Sequence, residues 1–292
     1  MDGALIIDKP AGLTSHDVVA RARRLLGERS VGHLGTLDPA ATGVLPLLVG
    51  RLTRLAQFLQ GRDKEYEGTI AFGFATSTYD AQGKPLGPCA ATLPALPEIE
   101  AALAHFRGPI RQTPPPFSAK KIAGVRAYKL ARRDLPVELK PVDVEIHEFQ
   151  LRKWEAGRLR IRVVCSSGTY VRSLAHDLGQ ALGVGAHLVE LRRTRSGEFG
   201  IATAVALDQV ARGNPAGWVR PQALLPEFPN LVVPPETAAK LLQGRAANLA
   251  EFSPAERVKV FAAIGTAEPA LIAVARRLAG SLFQPQIVFP LS

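Results

Sequence analysis

The sequence has few cysteines, a shortage of acidic residues and no long apolar run, and each shortage excludes a class of protein. Its two cysteines, Cys89 and Cys165, are far apart and form no metal-spaced pair, which predicts a reducing compartment without a disulfide framework. The N-terminus has no basic segment, and no apolar run approaches the roughly 20 residues of a membrane-spanning helix. We therefore expect a cytoplasmic protein that is neither secreted nor embedded in a membrane.

Motifs for nucleotides and metals are missing as well. The sequence contains neither a phosphate-binding P-loop nor a dinucleotide fingerprint. Its six histidines show no ligand spacing. We therefore expect a protein that works without a cofactor or a metal ion.

Basic residues are what the sequence has in excess. Lysine and arginine number 36 against 26 for aspartate and glutamate, which leaves a formal net charge of +10 on 292 residues. A surplus of this size favours a polyanionic partner, and nucleic acid is the first candidate. The hydrophobic content of 47% is that of an ordinary globular protein, and the length allows more than one structural unit.

The most constrained stretch runs from Gly32 to Pro46 and contains three glycines and two prolines. Neither a helix nor a strand continues easily through such a composition, which predicts a loop with a specified backbone shape. Asp38 lies inside it between Leu37 and Pro39. An acid that is desolvated by its neighbours and held on a stiff backbone suits a nucleophile or a general base. The alternative is a structural Asp-Pro turn.

This stretch resembles the signature G-H-x-G-x-L-D-P-x-A-T-G of the bacterial tRNA pseudouridine-55 synthases, the TruB family. The resemblance implies that Asp38 is the catalytic residue and that the T-arm of tRNA is the partner. It also implies an α+β fold, with a mixed, mainly antiparallel sheet core of the pseudouridine synthase type flanked by helices. The implied activity is isomerisation of the uridine at position 55 in the T-loop after base flipping, with room for an additional role in tRNA folding.

The same signature contains His33, and shorter matches to the family supply the further site residues Tyr66, Tyr170, Arg172 and Leu191. By resemblance, Arg172 pairs with the catalytic carboxylate. Tyr170 then lies beside the uracil, Tyr66 stacks on it, and Leu191 lines the base pocket. His33 either fills the space that the flipped base leaves or binds the flipped backbone.

Each of these residues also has a purely structural interpretation. An aromatic residue at a strand end, such as Tyr66, usually belongs to the core. Tyr170 and Arg172 fit a helix N-terminus with an exposed arginine, and His33 fits a loop histidine that bonds its own turn. Lys9 lies in the run from Asp8 to Ser15, which resembles the opening motif of the family. This resemblance implies that Lys9 braces the active-site loop rather than reacts, and the alternative is a simple turn.

The segment from Arg107 to Arg133 carries basic residues and contains no aspartate or glutamate. Such a segment with prolines and aromatic residues is typical of an arm that follows a phosphate backbone, although a solvated loop is the alternative. It also resembles the tRNA-clasping insertion of the family, here about residues 107–140. The expected RNA contacts are Arg107, Arg111, Lys120, Lys121, Arg126, Lys129, Arg132 and Arg133.

Proline and glycine are frequent between Gly213 and Pro229, which predicts a linker region. We expect a catalytic domain over residues 1–229 and a small β-rich RNA-binding domain of the PUA type over residues 230–292. Arg192, Arg193 and Arg195 lie before the linker and are candidate phosphate contacts or partners of buried carboxylates.

Two other functions remain open at this point. A non-catalytic RNA-binding or RNA-folding protein would account for the basic segment and the C-terminal unit. A glycosidic hydrolase would need a second acidic residue in a matching motif, and the sequence offers none. We therefore expect an isomerase, acting as a monomer.

Overall fold

The computed structural model describes residues 1–118, 120–122, 125–126, 139–211, 216–251, 253–263 and 268–290. Within them the chain forms an 11-stranded sheet, a 5-stranded sheet and a 2-stranded hairpin, together with α-helices and short 3-10 helices. None of the helices in these ranges is long and apolar enough to cross a membrane. The fold is α+β, as the resemblance implied.

The large sheet is mainly antiparallel. The strands up to residue 219 are β1 (Gly3–Lys9), β2 (Val31–His33), β3 (Thr42–Val49), β4 (Lys64–Phe72), β5 (Gly108–Gln112), β6 (Lys121–Ile122), β7 (Val125–Arg126), β8 (Val142–Glu155), β9 (Arg158–Cys165), β10 (Ala186–Ser196), β11 (Phe199–Gly200), β12 (Val205–Ala206) and β13 (Trp218–Val219). The spatial order is β12-β1-β3-β10-β4-β9-β8-β5, while β2 pairs with β3, β11 with β10 and β13 with β1. β6 and β7 form the separate hairpin.

The small sheet follows in the sequence. Its strands are β14 (Asn230–Val232), β15 (Ala247–Asn248), β16 (Arg257–Ala262), β17 (Ala270–Ala279) and β18 (Leu282–Val288), in the order β14-β16-β17-β18-β15. The α-helices are α1 (Ser15–Leu26), α2 (Ala56–Leu59), α3 (Leu96–Ala104), α4 (Val171–Ala181) and α5 (Pro235–Leu242). The C-terminal unit is thus β-rich, while its assignment to the PUA type stays a prediction.

Helix α1 shows how local sequence sets an element. Thr14 caps it in a capping box with Asp17, so two backbone N–H groups at the helix start are satisfied. The helix ends at Gly27, whose φ of 64° is a left-handed conformation that favours glycine. Its apolar stripe, which includes Val18 and Val19, packs on the large sheet with Leu5 of β1.

The two faces of β1 serve two different cores. Leu5 and Ile7 point into the cluster under the helices, whereas Ala4 and Ile6 belong to a second cluster on the opposite face. That second cluster also contains apolar residues of the small sheet: Phe261, Leu271, Val274, Ile287 and Phe289. The two sheets therefore share one hydrophobic cluster across β1 and β3.

Two sequence predictions need correction. The stretch from Gly32 to Pro46 is a loop only over residues 34–41, because β2 and β3 take up its ends. Proline has no backbone N–H to donate to a neighbouring strand. Pro46 is nevertheless tolerated inside β3, because its partner on β1, Ile6, donates its own N–H away from β3, to the Gly217 carbonyl. The predicted linker is a packed segment from residue 216 onward, because β13 pairs with β1 and Leu224 and Leu225 are fully buried. The division of domains at residue 229 stays a prediction.

Candidate active site

The Asp38 loop, residues 34–41, connects β2 to β3 and is held along its whole length by hydrogen bonds. At its start, the Leu34 N–H donates to the Pro46 carbonyl at 2.9 Å. In its middle, the Leu37 N–H donates to Ser15 Oγ at 2.8 Å, and the Ser15 hydroxyl donates to the Leu37 carbonyl at 3.2 Å. Since Ser15 begins α1, the N-terminus of a helix anchors the loop beside its carboxylate.

Lys9 braces the other side of the loop. Its side chain is fully buried, and Nζ donates to the carbonyls of Pro39 at 3.2 Å, Leu13 at 2.7 Å and Pro10 at 2.8 Å. Burial lowers the pKa of Lys9 to about 8, with the negative charge of Asp38 acting against that change. The lysine contacts backbone oxygens, as the sequence predicted for a bracing residue.

Asp38 forms a two-pronged ion pair with Arg172 from the first turn of α4. Arg172 Nε lies 2.8 Å from Asp38 Oδ2, and Nη2 donates to Oδ1 at 3.2 Å. Burial raises the pKa of Asp38, and the positive charge of Arg172 is the largest influence against that rise. Arg172 is only 5% exposed, so the predicted pairing is present and the alternative of an exposed arginine at a helix start is wrong.

Asp80 completes this charge arrangement and was missed from the sequence. Its Oδ2 lies 3.4 Å from Arg172 Nη1, which also donates to the Thr78 carbonyl at 3.0 Å. The negative charge of Asp80 raises the pKa of Asp38 further. Nothing local marks this aspartate, because it sits in a polar turn where Thr78 donates to its carboxylate at 2.5 Å; only the fold brings it to α4.

Tyr66 and Leu191 lie on the neighbouring strands β4 and β10 and line the same cavity. Tyr66 is 8% exposed and also packs into the main core. The core interpretation of Tyr66 is therefore confirmed, and the ring also forms part of a cavity wall. Its stacking on a uracil stays a prediction.

Tyr170 immediately precedes α4 and is fixed through its backbone. The Tyr170 N–H donates to Gln112 Oε1 at 2.8 Å, and Gln112 Nε2 donates back to the Tyr170 carbonyl at 3.0 Å. Gln112 is 1% exposed and was not identified from the sequence. Its pair of hydrogen bonds orients the Tyr170 side chain toward the cavity, which it lines.

His33, the last residue of β2, also lines the cavity. Its Nδ1 is buried and has no hydrogen-bond partner among the described residues, so the alternative of a bond from Nδ1 to its own turn is not seen there. Burial lowers the pKa of His33, and the charge of Arg193 adds to this change. Both influences on the pKa favour the neutral form of the ring.

These side chains surround one cavity of about 430 Å³. The residues predicted from the sequence that line it are His33, Asp38, Tyr66, Tyr170, Arg172 and Leu191. They come from the Asp38 loop and its flanking strand, from β4, from the start of α4 and from β10. The lining combines a paired carboxylate with aromatic and aliphatic surfaces, which suits a planar, polar ring. Within the described ranges, no group of three or more His, Cys, Asp or Glu side chains is arranged to hold a metal ion.

The basic segment is only partly within the described residues. Arg107 is exposed, yet its guanidinium donates to the Phe149 carbonyl of β8 at 3.0 and 3.2 Å. Arg111 is exposed and lies 3.9 Å from Asp143, and Lys120 is exposed. Lys129, Arg132 and Arg133 lie outside the described residues, as do the side chains of Lys121 and Arg126. RNA contact by this segment stays a prediction.

The three arginines of β10 have different partners. Arg192 pairs with Asp8 at 2.7 Å, and Arg195 Nε lies 3.6 Å from Glu65. Arg193, between them, points to the cavity side and donates to backbone carbonyls.

Two protein-family models match the chain. The TruB family pseudouridylate synthase N-terminal domain matches residues 23–171, and the tRNA pseudouridylate synthase B C-terminal domain matches residues 172–216. Their junction falls in the first turn of α4, beside Arg172, rather than between the two sheets. The family division therefore does not coincide with the division between the sheets.

Curated relatives are similar over nearly the whole chain. The protein named tRNA pseudouridine synthase B from Solibacter usitatus is 46% identical over 99% of this chain and 100% of the relative. The protein of the same name from Gloeobacter violaceus is 45% identical over 99% of both chains. The one from Aquifex aeolicus is 44% identical over 89% of this chain and 92% of the relative.

Solved structures share the fold. A chain in the crystal structure of a Cbf5-Nop10-Gar1 complex is 26% identical with a TM-score of 0.69, covering 98% of this chain and 84% of that chain. A chain of an H/ACA RNP bound to a substrate RNA containing 2′-deoxyuridine is 25% identical, also with a TM-score of 0.69, covering 99% of this chain and 85% of that chain. With the family models, the curated relatives and the geometry around Asp38 in agreement, the chain belongs to the TruB family of pseudouridylate synthases.

Proposed function

We propose that this enzyme converts the uridine at position 55 in the T-loop of tRNA to pseudouridine, with Asp38 as its catalytic carboxylate. The observation that carries the proposal is the ion pair of Asp38 with the buried Arg172 at the wall of a cavity of about 430 Å³. Family membership and the names of the curated relatives support both the reaction and the RNA class.

The reaction moves one bond within the same nucleotide. The bond between C1′ and N1 breaks, the uracil turns, and a bond from C1′ to C5 forms. The C5 proton leaves and N1 gains a proton, so the product has the same formula as uridine. The uridine must first leave its stack, at a cost of roughly a few kcal/mol that contacts in the pocket offset. A cavity that holds both the ribose and the detached base meets this requirement.

Asp38 acts in its ionised form, and its surroundings change its pKa in opposite directions. Burial raises its pKa, and Arg172 opposes that rise through its charge and its hydrogen bond. The same carboxylate can attack C1′ of the sugar, attack C6 of the base or remove the C2′ proton. All three routes require the charged carboxylate and place negative charge on the uracil. Arg172 supports each route because its positive charge favours the ionised form of Asp38.

The aromatic and aliphatic walls would hold the uracil while it is detached. Tyr66 offers a ring for stacking, Leu191 lies on the adjacent strand and Tyr170 faces the same cavity. His33, whose pKa is lowered by burial and whose Nδ1 has no partner among the described residues, is suited to hydrogen-bond the flipped nucleotide.

The remaining parts of the molecule would bind the rest of the RNA. We infer that the basic segment around residues 107–140 follows the phosphate backbone of the T-arm, where its one-sign charge is favourable. We also infer that the C-terminal unit is an RNA-binding domain of the PUA type and that the enzyme acts as a cytoplasmic monomer. These parts add affinity, whereas the cavity carries the chemistry.

The deciding measurement is tritium release from tRNA labelled at uridine C5, because pseudouridine and uridine have the same mass. We expect release by the wild type and a loss of roughly a thousandfold or more in Asp38→Asn, with tRNA binding retained. Asp208→Asn, which changes an exposed carboxylate on a 3-10 helix, is the matched control. No release by the wild type in the presence of tight tRNA binding would refute the enzyme and leave an RNA-binding protein.

A further inference from the structure

Arg193 is a buried cation that the reaction described above does not use. It is 1% exposed, in the middle of β10. Its Nε donates to the Val44 carbonyl at 2.7 Å, Nη2 to the Gly35 carbonyl at 3.2 Å and Nη1 to the Thr36 carbonyl at 3.4 Å. Gly35 and Thr36 belong to the Asp38 loop, and Val44 lies on β3 just after it. One guanidinium thus holds the loop both before and after Asp38.

The charge of Arg193 has no carboxylate partner within 4.0 Å among the described residues, unlike the charges of Arg192 and Arg195 beside it. A buried charge without a counter-ion is costly, and an apolar side chain of the same volume would often be the more stable choice. The three carbonyls need a donor, but stability does not require that this donor carry a charge. A guanidinium does, however, present several N–H groups in a fixed plane, which suits a device that sets the relative position of several acceptors.

Tyr66 is the second element that Arg193 reaches. The two residues are directly paired across β10 and β4, and both line the active-site cavity. Burial raises the pKa of the Tyr66 phenol, while the positive charge of Arg193 acts against that rise. The guanidinium therefore lies between the carboxylate loop and the ring that faces the base.

The backbone of Arg193 is itself fixed. β10 runs parallel to β3, with Arg193 opposite Gly43. A Cβ atom on Gly43 would lie 2.2 Å from the Arg193 carbonyl oxygen, and Gly43 has a φ of 100°, so only glycine fits there. This close approach holds the base of the arginine side chain against the strand into which the Asp38 loop leads.

We propose that Arg193 is a positioning residue that holds the Asp38 loop and the Tyr66 ring in one fixed relation, so that the detached uracil stays between them. The inference rests on the proposed function, because it takes the roles of Asp38 and Tyr66 from there. When the C1′–N1 bond breaks, the electron pair stays on the uracil, and the ring is held only by non-covalent contacts. It must then turn and bond C1′ through C5, while the C5 proton leaves and N1 gains a proton.

Escape of the ring is the competing outcome. If the uracil leaves, water adds its hydroxyl to C1′ and its proton ends on the uracil, which gives an abasic site and free uracil. A loosened loop or ring shifts the balance from pseudouridine toward these products. The ratio of free uracil to pseudouridine therefore reports how tightly the two walls are held, and it does not depend on how much of the enzyme is folded.

The test uses tRNA labelled in the uracil ring and measures pseudouridine and free uracil in a single turnover. In Arg193→Met we expect a rate roughly tenfold to a hundredfold lower, a clearly raised ratio of free uracil to pseudouridine, and tRNA affinity close to that of the wild type. Arg193→Lys keeps the charge and loses the planar guanidinium. Its product ratio should lie between those of the wild type and Arg193→Met. If Arg193→Met does not fold, the ratio measured with Arg193→Lys decides.

Lys259→Met is the matched control, because Lys259 is also a fully buried cation that donates to backbone carbonyls, far along the chain in β16. We expect it to leave the product ratio at the wild-type value. An unchanged ratio in the Arg193 variants, whatever their rate, would overturn the proposal and leave Arg193 as a structural residue. A wild type that forms no pseudouridine would instead overturn the proposed function, so the two failures are distinguishable.

Discussion

Among the described residues, buried cations lie in two regions, the active-site end of the large sheet and the junction with the small sheet. At the active site, Lys9 and Arg193 donate to carbonyls of the Asp38 loop. At the junction, Lys259 Nζ donates to the carbonyls of Gln222, at 2.8 Å, and of Leu224. In both regions a buried positive charge lowers the cost of burying irregular backbone.

The two regions differ in what their acidic residues contact. At the active site, Asp38 and Asp80 share Arg172 beside an open cavity. At the junction, Glu198 accepts the Leu225 N–H at 3.0 Å, within a segment that packs between the sheets. The same chemistry thus prepares a ligand site in one region and holds two sheets together in the other. What distinguishes them is a charge-paired carboxylate with access to a cavity.

Breaking the Asp38–Arg172 pair should have the largest effect on activity. In Arg172→Met, the carboxylate loses the influence that lowers its pKa, so burial raises that pKa further. We expect the rate at pH 7 to fall by about 100-fold and to recover partly as the pH rises, because more Asp38 is then ionised. A single-turnover pH profile measures this shift toward alkaline pH. Arg172→Lys, which retains a charge, should show a smaller shift.

Removing the carboxylate of Asp80 should shift the pH profile of the rate toward acidic pH. In Asp80→Asn, the negative charge that raises the pKa of Asp38 is gone, so Asp38 stays ionised to lower pH. The rate at pH 7 should fall by less than about tenfold, since Arg172 loses one partner but keeps Asp38. An alkaline shift in this variant would contradict the charge arrangement described here.

Lys259→Met should have the smallest effect on activity and should act on stability instead. The carbonyls of Gln222 and Leu224 lose their donor, at a cost of about 1–3 kcal/mol for a buried unpaired group. Urea unfolding should show this loss, while the single-turnover rate of the folded enzyme stays at the wild-type value. A lower rate in fully folded protein would mean that the junction also shapes the active site.

The contribution of Lys259 to the stability of the protein should depend on pH. Burial lowers the pKa of Lys259 to about 8 from 10.5 in the unfolded chain. Between these values the unfolded state binds more protons than the folded state, so the contribution of Lys259 to stability rises with pH in this window. The stability of the wild type relative to Lys259→Met should therefore increase between pH 8 and pH 10.5.

The sequence was informative where local chemistry is distinctive. Turn residues predict the Asp38 loop, and a capping residue predicts the start of helix α1. The alternating pattern predicts β9, where Leu159 and Ile161 are buried and Arg160 is exposed. The pairing of Arg172 with Asp38 came from resemblance, and the structure has it. Asp80 and Gln112 were missed because a single polar residue in a turn or at a strand end carries no local signal.

The errors have a common cause. Pro46 and its neighbours look like loop residues, yet they form β3 because the pairing with β1 and β2 outweighs local preference. The proline-rich stretch before β14 looks like a linker, yet Leu224 and Leu225 are buried there. Contacts distant in sequence decide such segments, and composition does not report them.

By itself, the amino-acid order determined many of the elements, the family and the candidate for the reactive carboxylate, because turn chemistry, periodicity and the residues around Asp38 are local properties. The tertiary structure alone decided which charges meet. Residues 38, 80, 172 and 193 come together only when β3, β10 and α4 pack at one end of the large sheet. Burial then makes their charges interact strongly, since low dielectric surroundings strengthen each pair and penalise each unpaired group.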